Sequence, residues 1–252
     1  MLDAAFGILM MLMLAGLITT TAGTALAASD EAAPQTYGDD GDPLEPLNRV
    51  LFTIHDGIDV VALRPIAYVY KNTVPEVGRT SVSNFLSHVA TPITLVNALL
   101  QGDMAAMENT LVRFLLNTIG GYGGLDDIAA RMGYEPRYED FGQTLAIWGV
   151  GAGPYVFLPL IGPVTLRHGV GRIVDIAASP WTWLLYHEPF YVAAIPAGVT
   201  LLSARAENLE ALDNLRETSP DYYASIRNLY FQNRNYEINN GDTLDELDEI
   251  PR

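Results

Sequence analysis

The sequence predicts a mostly helical fold. Apolar residues recur at intervals of three or four over long stretches, which is the period of an amphipathic helix, whereas few segments alternate with the period of two that marks a strand. Several stretches begin with a capping residue next to a proline and end at glycine, as helices commonly do. These two observations favour an all-α class in which the helices present one apolar face each.

Both ends of the chain are predicted to lie outside the folded body. Residues 1–27 join an apolar run to an A-x-A cleavage site at Ala25 and Ala27, which is typical of a signal peptide. The residues before that run lack the usual basic residue, so a retained N-terminal anchor is the alternative. Residues 28–41 are expected to form a flexible acidic leader and residues 237–252 a disordered acidic tail, because neither buries enough apolar surface to order itself.

The acidity of the chain comes mainly from these ends. The formal charge is −16, but residues 46–236 carry 17 acidic and 13 basic side chains and are nearly balanced. A nucleic-acid partner requires a basic face, so we expect none. Only Lys71 among the basic residues is a lysine. Arginine suits phosphate groups or partly buried ion pairs, although a GC-rich genome produces the same bias.

The first helix of the body is predicted to begin near residues 43–46. Asp42 is a capping residue, Pro43 fits the first turn, and Glu45 supplies the carboxylate that often follows three positions on. The helix is expected to extend toward Leu63. Its apolar face consists of Val50, Ile54, Ile58 and Val61.

Two further helices are predicted in the middle of the chain. Thr91 and Pro92 are expected to open a helix that ends at Gly102, and Asp103 to cap the next one, which ends at Gly120 and Gly121. The second of these carries an apolar stripe with Phe114 beside it. The stripe consists of Met104, Met107, Leu111, Leu115 and Thr118.

The last third of the chain is also predicted to be helical. Ser179-Pro180 and Ser219-Pro220 each mark a helix start. Between them, residues 197–217 read as one long amphipathic helix. Its predicted inner positions are Leu202, Leu209, Leu212 and Leu215, and its predicted outer positions are Arg205, Glu207, Glu210 and Asp213.

Residues 140–163 contain two motifs that imitate nucleotide sites. Asp140-Phe141-Gly142 resembles the magnesium-binding triplet of kinases, but the glycine-rich loop, strand lysine and catalytic loop that this triplet needs are missing. Gly149-x-Gly151-x-Gly153 resembles a dinucleotide loop, yet it follows a helix-like segment and is broken by Pro154. We therefore interpret the region as a helix, a glycine turn and a proline-broken apolar segment.

Other enzyme chemistry finds little support in the sequence. The four histidines are not spaced to place two metal ligands on one helix face, and the chain has neither cysteine nor a G-x-S-x-G nucleophile elbow. Asp126 and Asp127 are adjacent, so on a helix their side chains diverge, and a capping role is the simpler interpretation. We expect no catalytic activity, no metal and no cofactor.

The apolar segments favour a protein that lies within one membrane leaflet. Residues 156–164 and 190–203 are both interrupted by proline and are shorter than the roughly 20 residues that a spanning helix needs. Residues 181–186, WTWLLY, supply aromatic side chains that favour the lipid–water boundary. An ordinary buried core is the alternative explanation.

The body as a whole resembles the MlaA (VacJ) family of outer-membrane proteins. The most specific segment is EDFGQTLAIWGVGAGPYVFLPLIGPVTLRHGVGRIVD, at residues 139–175. Six other segments follow the family pattern in unbroken order from residue 42 to about 236. These are residues 42–52, 63–70, 74–88, 92–103, 113–129 and 230–235.

This resemblance implies a role in keeping phospholipids out of the outer leaflet of the Gram-negative outer membrane. It implies a ring of amphipathic helices in one leaflet around an amphipathic channel, through which misplaced phospholipids pass to a periplasmic lipid carrier. It also implies association with a trimeric porin and no chemistry on the lipid. The alternative function is a structural module that braces the outer membrane or a porin.

Three regions are candidates for lining such a channel, and plain packing is the alternative for each. They are Leu51, Phe52, Ile54 and His55; Asn117, Gly120, Gly121, Gly123 and Gly124; and Gly149, Gly151, Gly153 and Pro154. Four arginines are candidates for contacting a lipid phosphate, with ion pairs to Asp59, Asp126 or Asp175 as the alternative. They are Arg64, Arg113, Arg167 and Arg172.

The sequence departs from the resembled family at its start. Many family members are lipoproteins, whereas no lipobox cysteine is present and a conventional cleavage site stands in its place. We therefore expect an exported, periplasm-facing outer-membrane protein that is held by its apolar helices and by any porin partner rather than by a lipid.

Overall fold

The structure is a computed structural model that describes residues 42–240. It is mostly helical, as predicted. The signal segment, the leader and most of the predicted tail lie outside the described residues. The helices are α1 (Glu45–Ile58), a π-helical turn (Asp59–Leu63), α2 (Arg64–Thr73), α3 (Glu76–Gln101), α4 (Met104–Ile119), α5 (Ile128–Arg131), α6 (Phe141–Ile147), α7 (Leu166–Ala178), α8 (Pro180–Leu184), α9 (Phe190–Ala193), α10 (Ile195–Glu207), α11 (Leu209–Thr218) and α12 (Tyr222–Ile238). The strands are β1 (Tyr155–Leu158) and β2 (Gly162–Thr165).

The first helix starts as predicted but extends further. The Asp42 carboxylate accepts hydrogen bonds from the Leu44 backbone N–H at 2.9 Å and from the Asn48 amide at 3.0 Å, which closes the entry turn. Beyond Ile58 the helical segment continues through the π-helical turn into α2, which ends at Thr73. Pro65 is tolerated because it lies in the first turn of α2, where a missing N–H costs little.

The prediction that Thr91-Pro92 opens a helix is wrong. Pro92 lies inside α3, which runs for 26 residues. A proline removes one main-chain hydrogen bond, and here the Thr91 hydroxyl donates to the Ser87 carbonyl at 3.2 Å within the same turn. Contacts of α3 with α4, α6 and α10 hold the helix on both sides of the proline. The predicted end at Gly102 is confirmed, since this residue has a φ of 77°.

The predicted limits of α4 are confirmed. The Asp103 carboxylate accepts a hydrogen bond from the Ala106 backbone N–H at 2.8 Å, and the helix ends before Gly120. Its orientation is less expected. The apolar stripe that includes Leu111 and Leu115 is exposed, whereas the buried positions are Ala106, Thr110 and Asn117.

Residues 155–165, which we interpreted from the sequence as a proline-broken apolar segment of a mostly helical chain, form an antiparallel hairpin. Tyr155 pairs with Thr165 and Leu158 with Gly162. The Asn48 side chain completes the hairpin, because its amide donates to the Tyr155 carbonyl at 3.1 Å and its oxygen accepts from the Phe157 N–H at 2.9 Å. A buried amide that replaces a third strand leaves no periodic trace in the sequence.

Residues 195–218 form two helices rather than one. The break falls at Asn208, which separates α10 from α11. Arg205 was predicted to face outward but is buried, because it pairs with Asp59 of the π-helical turn. A tertiary partner distant in sequence therefore reverses the face that the helical period predicts.

The last helix begins two residues after Ser219-Pro220, where the Asp221 carboxylate accepts from the Ala224 N–H. This helix continues to Ile238, and the Glu237 carboxylate pairs with the Arg234 guanidinium at 2.9 Å. Residues 237 and 238, which were predicted to belong to the tail, are therefore helical. Its Tyr223 packs with Phe52, Tyr155 and Phe157 in the main aromatic cluster of the described residues.

The elements form a closed circuit. Helix α3 contacts α10, α10 contacts α2, and α2 continues through the π-helical turn to α1. Helix α1 contacts β1, the hairpin contacts α7, α7 contacts α6, and α6 returns to α3. The predicted ring of amphipathic helices is consistent with this order of contacts.

The distribution of polarity is inverted relative to that of an ordinary globular protein. Buried residues in the described part are polar about as often as they are apolar, while large apolar side chains such as Val61, Ile119 and Phe190 are at least 80 % exposed. Extensive exposed apolar surface marks contact with a membrane or a partner. Among the described helices, none is long and apolar enough to cross a bilayer.

Candidate functional site

A polar cavity lies between α3, α4 and the chain around residues 127–138. It has a volume of about 210 Å³, and we call it the first polar cavity. Its lining is mostly hydroxyl, amide and charged groups. These come from Ser83, Asn84, Ser87, His88, Thr91, Thr94, Thr110, Arg113, Asn117, Asp127, Pro136, Arg137 and Tyr138.

One wall of the first polar cavity is a connected ion-pair network. The Arg113 guanidinium pairs with Asp127 at 2.7 Å and also donates to the Tyr134 carbonyl. Asn117 donates to the other Asp127 oxygen at 2.9 Å and accepts from the Ala129 N–H at 3.0 Å. Burial raises the pKa of Asp127, but the hydrogen bonds from Arg113 and Asn117 outweigh it, so this pKa lies below its ordinary value.

His88 forms the opposite wall. Its ring stacks on Phe114 with centroids 4.9 Å apart and lies 3.1 Å from the Thr118 hydroxyl oxygen. Burial lowers the pKa of His88, so the ring is neutral at pH 7. Thr110, which is almost completely buried, points a hydroxyl without a partner among residues 42–240 into this region. The cavity therefore offers both neutral and charged hydrogen-bonding groups.

A larger cavity adjoins the first polar cavity. It has a volume of about 720 Å³ and is enclosed by α3, the end of α7, α8, α9 and α10; we call it the apolar cavity. Its walls include Leu86, Trp181, Leu185, Phe190 and Pro196. The volume falls within the ~300–1,000 Å³ of typical small-molecule sites.

The two cavities share part of their lining. Ser83, Ser87 and Tyr138 contribute to both. One side of α3 thus presents a polar space and an apolar space that meet along a row of hydroxyl groups. Together they form a candidate amphipathic channel.

The first predicted region lies away from these cavities. Phe52 is buried in the aromatic cluster, 5.1 Å from the Phe157 ring centre. His55 accepts a hydrogen bond from the Leu160 N–H at 3.1 Å, while Leu51 is half-buried and Ile54 is exposed. In the structure Phe52 and His55 connect α1 to the hairpin.

The second region borders the first polar cavity. Asn117 lines it directly, and the glycine-rich turn that follows packs against it. Gly123 and Gly124 have φ values of 72° and 94°, and any side chain at Gly124 would overlap the His88 ring. Gly120 and Gly121 lie close against Ile128 and the Asp126 carbonyl.

The third region forms a loop that holds the start of α7. Arg167 is 5 % exposed, and its guanidinium donates to the Val150 carbonyl at 2.6 Å. The Arg167 backbone N–H donates to the Ala152 carbonyl at 3.0 Å. Gly153 has a φ of 68° and lies against Leu166, whose N–H donates to the Pro154 carbonyl. Gly149 and Gly151 face open space.

The four predicted phosphate contacts have different surroundings. Arg64 pairs with Asp213, Arg113 with Asp127, and Arg167 with loop carbonyls, whereas Arg172 is exposed. Of the four, Arg113 lines the first polar cavity. The three aspartates that the sequence suggested as ion-pair partners of these arginines interact with other residues. Asp59 pairs with Arg205, Asp126 with Arg131, and Asp175 accepts from Asn97 and the Phe141 N–H.

The sequence reading missed most residues that line the cavities. Ser83, Ser87 and Thr91 recur at four-residue intervals on α3, and Thr110 and Asn117 lie on the same face of α4. A polar stripe at helical spacing next to an apolar one is the signal that marks them. By itself it equally describes a solvent-exposed face, so the structure is needed to place it inside.

These features define a helical protein with an apolar exterior and an internal amphipathic cavity, a class suited to sheltering lipid at a membrane. The chain belongs to the MlaA family. Its residues 40–237 match the family model described as MlaA lipoprotein.

Similar proteins include members from three enteric or respiratory bacteria. The chain is 35 % identical over 205 residues to proteins of Escherichia coli and Shigella flexneri, with 80 % of each chain covered. It is 31 % identical to one of Haemophilus influenzae, covering 83 % of this chain and 84 % of that protein. All three are named intermembrane phospholipid transport system lipoprotein MlaA.

A solved structure is also similar, with a TM-score of 0.70 and 36 % identity over 79 % of this chain and 99 % of that one. It is described as "Structural basis for maintenance of bacterial outer membrane lipid asymmetry". At this identity and score, both the fold and the relationship are supported.

One prediction is corrected by these comparisons. We predicted an exported protein held in the membrane without a lipobox cysteine. The matching family model, however, is described as MlaA lipoprotein, and the relatives are named as lipoproteins. That prediction was wrong. It rested on the absence of cysteine and on the A-x-A cleavage site within residues 1–27, which lie outside the described residues.

Proposed function

We propose that this protein is the outer-membrane component of a phospholipid transport system. It removes misplaced phospholipids from the outer leaflet and passes them toward a periplasmic lipid carrier, which maintains lipid asymmetry. The observation that carries the proposal is the meeting of a polar and an apolar cavity inside a body with an apolar exterior.

An amphipathic cavity suits the amphipathic chemistry of a phospholipid. The headgroup requires hydrogen-bonding groups such as Ser83, Ser87 and Asn117, and the acyl chains require apolar walls such as Leu86 and Phe190. A passage that satisfies both parts lowers the cost of moving a charged headgroup through a hydrocarbon environment. No energy input at this protein is required for such a conduit.

The proposed position is within one leaflet of the outer membrane. The exposed side chains of Trp183, Leu184 and Tyr191 lie on the short helices α8 and α9. Burying one large apolar side chain is worth roughly 1.5–3 kcal/mol, so several together suffice to hold the protein in lipid. We further propose a trimeric porin as a membrane partner and a soluble periplasmic lipid carrier as the acceptor.

We infer that the protein performs no chemistry on the lipid. Thr118 beside His88 is one arrangement of an alcohol and a potential base at the cavity wall. The Thr118 hydroxyl donates to the Phe114 carbonyl at 2.6 Å, so its proton is not directed at the imidazole. A general base must reach the proton that it removes.

A deletion strain tests the proposal against the alternative of a structural brace. A conduit predicts that deletion places phospholipid in the outer leaflet and makes cells sensitive to detergent with a chelator, and that the intact gene restores both. Outer-leaflet phospholipid can be measured with an impermeant amine-reactive label. Unchanged labelling together with altered porin trimers would favour the brace, and released fatty acid in a chromatographic assay would favour a lipase.

A further inference from the structure

A second polar cavity lies where α2, α3 and α10 meet. It has a volume of about 310 Å³, and its lining shares no residue with that of the first polar cavity. Tyr70 comes from α2, Arg79 from the start of α3 and Ser203 from α10. None of these residues was singled out by the sequence.

Three polar atoms in this cavity have no hydrogen-bond partner among residues 42–240. They are the Tyr70 hydroxyl, the Arg79 Nε and the Ser203 hydroxyl, and all three atoms are buried. Ser203 itself is only 4 % exposed, and Arg79 forms no ion pair within the described part of the chain. Buried donors without a partner are costly, so three of them in one cavity make it a candidate site for a ligand that supplies the acceptor.

The second polar cavity adjoins the apolar cavity. Ser203 and Glu207 line both. They lie one helical turn apart on α10, so this helix forms the common edge. A ligand with its polar group at Arg79 therefore extends its apolar part toward Phe190 and Pro196.

The charges of the cavity have both signs. Arg79 and Lys71 are cationic, although Lys71 already pairs with Glu210 at 3.1 Å. The carboxylates of Glu76 and Glu207 are also in the lining. A purely anionic group would meet repulsion from these carboxylates, whereas a group with an anion and a cation a few ångströms apart matches both.

We propose that the second polar cavity binds the headgroup of a zwitterionic phospholipid with a primary ammonium group. Its phosphate accepts hydrogen bonds from Arg79, Tyr70 and Ser203, and its ammonium donates to Glu207. The acyl chains occupy the apolar cavity. This site deepens the proposed function on which it rests, because it states which headgroup is accepted and where the lipid pauses.

Lipid binding by the full chain in detergent tests the site. Native mass spectrometry would follow titration with dioleoyl phosphatidylethanolamine and, separately, dioleoyl phosphatidylglycerol. We expect wild type to prefer the ethanolamine lipid. We expect Arg79→Gln to weaken both lipids by about tenfold or more, since a lost hydrogen bond to a charged group is worth about that factor.

Two other variants separate the roles of the groups. Glu207→Gln is expected to weaken the ethanolamine lipid at least about threefold, because only this lipid carries the ammonium. The glycerol lipid should bind as well as before or more tightly, because the substitution removes a carboxylate that repels its phosphate. Ser203→Ala removes one hydroxyl with almost no change in volume and is expected to weaken both lipids. It keeps the test valid if Arg79→Gln fails to fold. Arg131→Gln, at an exposed ion pair with Asp126, is the matched control and should bind like wild type.

The outcomes distinguish the site from the function. If wild type binds both lipids and Arg79→Gln and Ser203→Ala bind them equally well, the headgroup site is wrong while the conduit stands. If Glu207→Gln weakens both lipids alike, the assignment of the ammonium is wrong. If wild type binds neither lipid, the conduit itself fails.

Discussion

Arg205 and Asp59 form an ion pair of 2.7 Å between two elements that lie 146 residues apart in sequence. The Arg205 side chain is 8 % exposed and the Asp59 side chain 14 % exposed, and a second carboxylate, Asp213, lies 3.2 Å from the same guanidinium. The pair fastens α10 to the π-helical turn and so closes one side of the ring. Helix α10, which also packs against α2 and α3, thus has a specific polar attachment to its neighbour.

Loss of this attachment should destabilise the protein. Arg205→Met leaves the Asp59 carboxylate buried without its partner, and we expect the free energy of unfolding to fall by about 3–5 kcal/mol. Urea unfolding in detergent, followed by circular dichroism, measures the change. Arg131→Met is the control, because its pair with Asp126 is exposed and its loss should leave the free energy of unfolding almost unchanged. Equal effects of the two substitutions would contradict the role assigned to burial.

Asn48 should stabilise the hairpin, as Arg205 stabilises the contact between α10 and the π-helical turn. It is completely buried, and Asn48→Ala leaves the Tyr155 carbonyl and the Phe157 N–H without their partner. We expect a loss of about 2–4 kcal/mol, since each unsatisfied group costs roughly 1–3 kcal/mol. Thr53→Ala on the same helix is the control, because its hydroxyl bonds only its own helix at the surface. Hydrogen exchange at Phe157 should rise in Asn48→Ala and stay low in Thr53→Ala.

Gly124 and Gly123 form a natural pair for testing contact against backbone strain. Both have positive φ, so alanine is strained at either position. A methyl group at Gly124 overlaps His88, whereas one at Gly123 meets open space. We therefore expect Gly124→Ala to lower the thermal midpoint clearly more than Gly123→Ala. Similar midpoints for the two variants would show that His88 moves aside freely.

Stability should fall as the pH drops through the mildly acidic range. Burial, together with nearby Arg234, lowers the pKa of His168 to about 4, although Asp140 opposes this. The unfolded chain binds a proton near pH 6.5 while the folded chain does so only near 4, so the unfolded state gains protons between these values. His88, whose pKa is also lowered, contributes in the same direction.

We expect His168 to account for up to about 3 kcal/mol of this loss between pH 6.5 and 4. Urea unfolding at several pH values gives the slope, and His168→Gln should reduce it. Gln is chosen because it can still bond the Tyr230 hydroxyl, which lies 3.0 Å from the His168 ring. An unchanged slope in the variant would assign the pH dependence to other groups.

A plug in the apolar cavity should block transport without loss of fold. Ala90 lines that cavity from α3, so Ala90→Trp fills space that acyl chains would use. We expect cells with this variant to accumulate outer-leaflet phospholipid as the deletion strain does, at a normal protein level. Val96→Trp lies on the outer face of the same helix, 54 % exposed, and should behave like wild type. Normal lipid asymmetry with a well-folded Ala90→Trp protein would contradict the conduit.

Several local features could be read directly from the sequence because their causes are local. Asp103 caps α4, Gly102 ends α3, and Ser179 caps α8, each by contacts within a few residues. The absence of a spanning helix among the described residues follows from segment length and the positions of prolines. The family resemblance also indicated the fold class and the relationship, because it rests on long segments that follow one another in the same order as in the family.

The features that the sequence did not determine depend on contacts between residues that are distant along the chain. The helical period identified the apolar stripes of α1 and α4, but whether a stripe faces a protein core or a membrane is set by what packs on its other side. Asn48 replaces a strand for the hairpin, and Arg205 turns inward to meet Asp59. Tyr70, Arg79 and Ser203 come together only because three helices converge. Period and capping arise from neighbours along the chain, whereas an internal cavity is a property of the space that the whole chain encloses.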